Sequence, residues 1–236
     1  MATFVLVHGA WHGSWCWERV RRTLRELGHD VFTPTLSGVG ERAHLLSSGI
    51  DLTVHIQDVA NLIRWEELSD VVLCGHSYAG LVISGVAEQM PDRILALVYL
   101  DAFLPESGQS LHDTLPPEIG DHQRAMARDH GDGWKVPPNP AAMFAVNDQD
   151  QDWVDRQCTP QSLATFEQPL IFSEKAGSIP DIRYILATGW THSPFAAFRD
   201  VAAKRGWRTS TMACGHDVML DLPSELAAVL DGVAVG

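Results

Sequence analysis

The stretch Val71–Gly85, VVLCGHSYAGLVISG, decides how this chain is read. Four apolar residues run straight into Gly75-His76-Ser77-Tyr78-Ala79-Gly80, and a run of apolar and small residues comes after them. The first part reads as a buried strand and the last as a helix. The corner between them holds a serine where Asn, Asp or Gly would be the ordinary turn residue. Strand, Gly-x-Ser-x-small-Gly and helix together form a nucleophile elbow. The serine needs a strained backbone to stand clear of the sheet. Only small neighbours two residues away on either side, here Gly75 and Ala79, let the chain turn that tightly. The helix N-terminus adds backbone N–H groups and a partial positive charge beside the hydroxyl. The plain alternative is a turn serine that caps a helix.

Outward from this corner, short apolar runs alternate with longer amphipathic ones. Thr3–Val7 predicts a first strand. CWERVRRTLRELGHD predicts a helix, with Trp17, Val20, Leu24 and Leu27 on its apolar side and Gly28 as its stop. DVFTPTL predicts a second strand. Asp51 reads as the N-cap of a helix reaching about Leu68. ILALVYLDA, a continuous apolar run, suits a parallel strand covered on both faces. From Phe103 to Ile179 the alternation fails, Pro and Gly are frequent, and a few short helices are expected. A stretch too long for a loop reads as an inserted, mainly helical cap. Alternation resumes with DIRYILATG, SPFAAFRDVAAKRG, WRTSTMACGHD and a closing helix around PSELAAVLDGV. The expected fold class is α/β: a mostly parallel six-stranded sheet with helices on both faces. The core would comprise residues 1–102 and 180–236 and the cap 103–179, a single domain overall.

Composition narrows the partners. With 236 residues, 45% apolar and 20% charged, the chain is large enough for one full α/β core and ordinary for a globular protein. The formal net charge of −13, with no stretch rich in Lys or Arg, argues against nucleic acid and against an anionic membrane surface. The apolar run near the N-terminus has no basic region before it and is five residues long, so it reads as a strand and not as a signal peptide. Cys16, Cys74, Cys158 and Cys214 lie far apart with no C-x-x-C, which points away from disulfide or metal frameworks and towards a reducing cytoplasm.

The other chemistry-bearing residues cluster at expected strand ends. The first strand ends in His8-Gly9-Ala10. There Gly9 lets the chain turn beneath a substrate, and the Ala10 N–H, with the Tyr78 N–H after the elbow serine, would form an oxyanion hole. His8 and His12 read as hydrogen-bonding loop residues. His216, in ACGHDVMLDLP after the last expected strand, is the candidate base; a solvated loop histidine is the alternative. His192 is the other histidine on a strand-end loop beyond the cap. The acid is harder to find. Gly189–Phe195, after the penultimate strand, contains no carboxylate. Asp200 lies inside a helix, Asp181 is at the wrong end of its strand, and Asp217 would have to fold back on its own backbone. Asp101 remains, closing ALVYLDAF one strand after the nucleophile strand, with an N-cap role as its alternative.

These residues resemble the α/β-hydrolase superfamily over nearly the whole chain. VLVHGAWHGSWCW, TLSGVGER and GHSYAG are similar to the branch holding plant hydroxynitrile lyases and methylesterases, and closer still to bacterial carboxylesterases such as pyrethroid hydrolases. The resemblance implies a serine nucleophile, a histidine base, a carboxylate, two backbone donors, a helical cap over an apolar pocket, and no cofactor. Plant members carry the acid after the penultimate strand, where this chain has Trp190; either the acid has moved to Asp101 or the triad is incomplete. Hydroxynitrile lyases place a lysine after the catalytic histidine to hold cyanide. Asp217 stands there instead, which argues against that activity. Dehalogenases and epoxide hydrolases need an aspartate at the elbow. The expectation is a serine carboxylesterase for small to medium apolar or aromatic esters, with Ser77, His216 and Asp101 catalytic, Ala10 and Tyr78 binding the oxyanion, and no metal. Cap residues Phe103, Leu104, Trp134, Met143, Phe144, Trp153, Phe166 and Phe172 would supply apolar surface, either to the pocket or to packing. A homodimer stays open as an assembly. So do lactonase, thioesterase and lyase chemistry on the same machinery, and a non-catalytic ligand-binding homologue.

Overall fold

In a computed structural model of the chain, residues 1–173, 175–191 and 193–235 are described. His192 lies outside them. The elements in chain order are β1 (Thr3–Val7), α1 (Glu18–Glu26), β2 (Asp30–Phe32), α2 (Leu52–Trp65), β3 (Val71–His76), α3 (Ala79–Gln89) and β4 (Ile94–Leu100). Then come α4 (Pro117–His130), β5 (Lys135–Val136), α5 (Gln151–Gln157), β6 (Gln161–Ser162) and α6 (Ala164–Glu167). The chain closes with β7 (Asp181–Ala187), α7 (Phe195–Lys204), β8 (Arg208–Met212), α8 (Val218–Asp221) and α9 (Pro223–Val235). Six strands form one all-parallel sheet in the order β2-β1-β3-β4-β7-β8, while β5 and β6 pair antiparallel between β4 and β7 in the chain.

Strand periodicity explains the layers. Successive side chains of a strand point to opposite faces. Val5, Leu73, Leu97, Tyr99 and Tyr184 pack on one face with the apolar sides of α2, α3 and α7. Phe4, Leu6, Val72, Cys74, Val98 and Ile185 pack on the other with α1, α8 and α9. Both faces are buried, so the central strands need continuous apolar runs.

Register places the functional residues. Val7 pairs with Gly75, and His76 pairs with Leu100. Gly9, Ser77 and Asp101 therefore leave three adjacent strands at the same level, at the carboxyl edge of the sheet where α/β folds bind ligands.

Several expected boundaries shift, each for a local reason. The second strand stops at Phe32, because Pro34 cannot donate to the ladder; Thr33 and Thr35 instead take Ser14 as a hydrogen-bond partner. The helix capped by Asp51, whose carboxylate accepts from Val54 N at 3.0 Å, ends at Trp65, and Glu67 turns away with φ +53°. Leu27 is exposed at the end of α1 and not part of its buried stripe.

Candidate active site

Ser77 holds φ +54°, the left-handed region that L-residues rarely adopt. Three backbone hydrogen bonds hold it there: its N–H donates to Leu100 O, and its carbonyl accepts from the N–H groups of Gly80 and Phe103. Gly75 is required by contact. A Cβ there would lie 2.8 Å from both Ala79 O and Ile83 Cγ2. Gly9 passes equally close beneath the serine: its Cβ would lie 2.9 Å from His76 Nδ1 and 3.0 Å from Ser77 Cβ.

Asp101 is also strained, with φ +42°, and its side chain is fully buried. Its N–H donates to Ile185 O at 2.7 Å, and its Oδ1 accepts from Ala187 N at 3.0 Å. Oδ2 is then aimed at His216 Nδ1, 2.6 Å away. The carboxylate reaches the imidazole from the end of β4, beside the nucleophile strand. Where plant relatives are expected to carry their acid, Trp190 packs its ring 5.0 Å from that of His216. Phe195 stacks on the same imidazole at 5.0 Å with 7° between the planes. His216 Nε2 and Ser77 Oγ make no hydrogen bond among the described residues, to each other or elsewhere, and both residues line one cavity.

The backbone N–H groups of Ala10 and Tyr78 donate to no protein acceptor among the described residues, and both residues line the same cavity as Ser77 and His216. The Ala10 turn is pinned by the next residue along the chain. Trp11 has φ +65°, and its N–H donates to Gln161 Oε1 at 2.9 Å. Its indole N–H donates to Val136 O at 3.1 Å, so the inserted segment holds the turn.

Sequence reasoning missed a second buried cluster beneath the site. His12 donates from Nδ1 to Ala10 O at 2.7 Å and from Nε2 to Asp217 Oδ2 at 3.1 Å. Carbonyl and carboxylate oxygens only accept, so this geometry requires both ring nitrogens protonated. Burial opposes charge on His12, but the Asp217 carboxylate outweighs it and holds the imidazole well above its ordinary value. Burial likewise pushes the Asp217 carboxyl up, and His12 overrides it, holding it below the usual carboxylate range. Asp217 is fully buried and absent from the cavity wall, so it meets no leaving group there. His76 donates from Nε2 to His216 O at 3.0 Å, and burial, reinforced by His216, holds it well below its ordinary value. His8 donates to Gly9 O and accepts from Leu36 N, a neutral loop residue whose burial lowers it to about 3. The signal available in advance was His12 repeating the His-Gly of the first strand end; nothing marked Asp217 as its partner.

The cavity is about 270 Å³. Of the expected cap residues, Phe103, Met143, Phe144 and Phe166 line it. Leu104 and Phe172 line a separate cavity, Trp153 packs on Trp15, and Trp134 lies beneath the Lys135 ammonium. Among the described residues, no group of three or more His, Cys, Asp and Glu side chains converges as metal ligands would.

The model of the alpha/beta hydrolase family matches residues 4–229. The chain belongs to that family. As an alpha/beta hydrolase it is 48% identical over 241 residues to a carbendazim-hydrolysing esterase of Nocardioides sp. (strain SG-4G), with 98% of each chain covered. It is 36% identical over 118 residues to methylesterase 2 of Arabidopsis thaliana, covering 45% of this chain and 41% of that protein. Among solved structures, an extracellular alpha/beta-hydrolase from a Paenibacillus species superposes with a TM-score of 0.86 at 26% identity over the full length of both. A pyrethroid hydrolase from Sphingobium faniae JZ-2 superposes with a TM-score of 0.79 at 22% identity, covering 99% of this chain and 97% of its own, a likeness of fold alone.

Proposed function

We propose that this chain hydrolyses small to medium apolar or aromatic esters through an acyl-enzyme on Ser77. That it is a carboxylic ester hydrolase rests on its family and on the whole-length likeness to the Nocardioides esterase. The finer reading is carried by one observation: buried Asp101 Oδ2 lies 2.6 Å from Nδ1 of His216, which lines the same cavity as Ser77 at its strained corner.

In this reading Asp101 fixes the proton on His216 Nδ1 and leaves Nε2 free to accept. His216 Nε2 takes the hydroxyl proton as Ser77 Oγ bonds to the ester carbonyl carbon. The carbonyl π pair moves to oxygen, which the Ala10 and Tyr78 N–H groups receive. When the pair returns, the C–O bond to the alcohol breaks and His216 gives that oxygen its proton. Water repeats the sequence on the acyl-enzyme and releases the acid. The aromatic wall supplies apolar contact and keeps bulk water from the reacting centre. We take residues 103–179 as a cap on a core of 1–102 and 180–236, because these residues build much of that wall. We also place the chain in the cytoplasm, on its four unpaired cysteines, although the Paenibacillus neighbour is extracellular. No helix among the described residues is long and apolar enough to cross a membrane.

A panel of p-nitrophenyl, methyl, pyrethroid and carbendazim substrates against purified protein tests the reading. Turnover of p-nitrophenyl acetate that disappears in Ser77→Ala is expected. Turnover unchanged in that variant would overturn it.

A further inference from the structure

The cavity wall is aromatic and aliphatic except for a few polar side chains. Ser77, His216, His76 and His12 belong to the machinery already described. Asn139 is half-buried at the wall and makes no hydrogen bond among the described residues. The remaining one is Gln123, on α4 of the inserted segment, whose side chain is more than nine-tenths buried and lines the cavity beside Leu115, Ile119 and Phe166.

Its orientation is set by its neighbours. The Arg124 guanidinium can only donate, and its Nη2 lies 3.3 Å from His112 Nδ1. Nδ1 is therefore the acceptor, and the ring proton sits on Nε2. His112 Nε2 lies 2.7 Å from Gln123 Oε1 and donates to it. Arg124 is itself held by Glu167, with Nε donating to Oε1 at 2.6 Å. This chain of donors requires the carbonyl end of the Gln123 amide to face His112. The NH2 end is left with no protein acceptor among the described residues, against an apolar cavity. That NH2 is open to the cavity, so a ligand that covers it without supplying an acceptor strands a donor away from water, and one that supplies an acceptor is favoured over a hydrocarbon of the same shape.

We propose that Gln123 is a specificity-determining residue: its Nε2–H donates to an acceptor atom on the substrate, away from the reacting carbonyl. The preferred substrates are esters whose apolar body carries a ring nitrogen, ether or carbonyl oxygen at that point, and not plain hydrocarbon esters. This rests on the esterase reading and narrows its substrate class.

The test compares methyl naphthalene-2-carboxylate with methyl quinolinecarboxylates in which the ring nitrogen is moved from position to position. In the wild-type protein, kcat/KM for one or two isomers should exceed that of the naphthalene ester by roughly 10-fold, the scale of one net hydrogen bond. Gln123→Leu removes the donor and should bring the ratio to within about 2-fold of the intrinsic reactivity ratio, measured with hydroxide. Gln123→Glu still accepts from His112 but turns an oxygen to the cavity, and it should lose the preference as well. A merely structural role would lower all esters alike and leave the ratios standing. Equal ratios in wild type and both variants, or no isomer preference in wild type, would overturn the assignment while p-nitrophenyl acetate turnover still upheld the esterase. If wild type turns over p-nitrophenyl acetate but none of the naphthalene and quinoline esters, this inference alone is overturned; if it turns over neither, the esterase reading fails and takes this inference with it.

Discussion

Two fully buried carboxylates lie beside His216, one bonded to its ring and one to His12, and the proposed mechanism gives only the first a part in catalysis. Asp101→Asn tests the first. Oδ1 of Asp101 accepts from Ala187 N, so an asparagine oxygen keeps that place and its NH2 must face His216 Nδ1. Donor then meets donor. The imidazole can restore a hydrogen bond only by moving its proton to Nε2, where it can no longer take the proton of Ser77. Loss of the correct tautomer costs roughly 10⁴-fold in kcat, or about 5.5 kcal/mol of transition-state stabilisation. The swap preserves shape and the Ala187 bond, so the melting temperature should barely move. Asp217→Ala tests the second carboxylate. It removes the acceptor of a buried imidazolium and should cost about 3 kcal/mol of stability, the low end for a broken buried pair because His12 can release its proton. That corresponds to a melting temperature lower by roughly 6–12 °C. Steady-state hydrolysis of p-nitrophenyl acetate and thermal melting on both variants give the four numbers needed. If Asp101→Asn retains more than a tenth of wild-type kcat, or if Asp217→Ala loses roughly 10⁴-fold in kcat with its melting temperature unchanged, the assignment of roles is wrong.

His216→Ala should be nearly as inactive as Ser77→Ala, and the double variant little worse than either, because the groups act as one unit; additive losses in single-turnover assays would contradict a shared step. Stability should fall as pH drops from about 6.5 to 5, above the carboxylate range. Burial lowers folded His8 to about 3 and also lowers His55 and His76, so the unfolded chain binds protons that the folded chain refuses. His12, raised in the fold, works the other way: its share of stability is fully present below the unfolded value near 6.5 and is lost as pH rises through its folded value, and the three lowered imidazoles outnumber it in this window. Urea midpoints that stay level between pH 6.5 and 5 would count against neutral buried imidazoles.

Much of the fold was legible because it depends on local periodicity and on one corner. Thr3–Val7 is β1 to the residue, and the small residues around Ser77 announce the turn that its φ of +54° displays. The neighbourhood of Asp101 and His216 could be reached by elimination, since parallel register makes the ends of adjacent strands converge. The hidden features depend on pairs far apart in sequence. His12 and Asp217 are 205 residues apart, and Asp217 beside His216 looked like a group facing the leaving group when it is buried against His12. Gln123 sits on a helix with no motif, and its meaning depends on which way His112 orients an amide. Which cap aromatics reach the cavity was equally unreadable, because the inserted segment has no strict period to set its faces.

Ser77 as the nucleophile can be tested covalently. Incubation with a fluorophosphonate probe and intact-mass analysis should show one adduct per chain, mapped by peptide sequencing to Ser77. Ser77→Ala should stay unlabelled, and Asp101→Asn should label far more slowly than wild type. A single adduct on any residue other than Ser77, or labelling of Ser77→Ala at the wild-type rate, would contradict the assignment at its root.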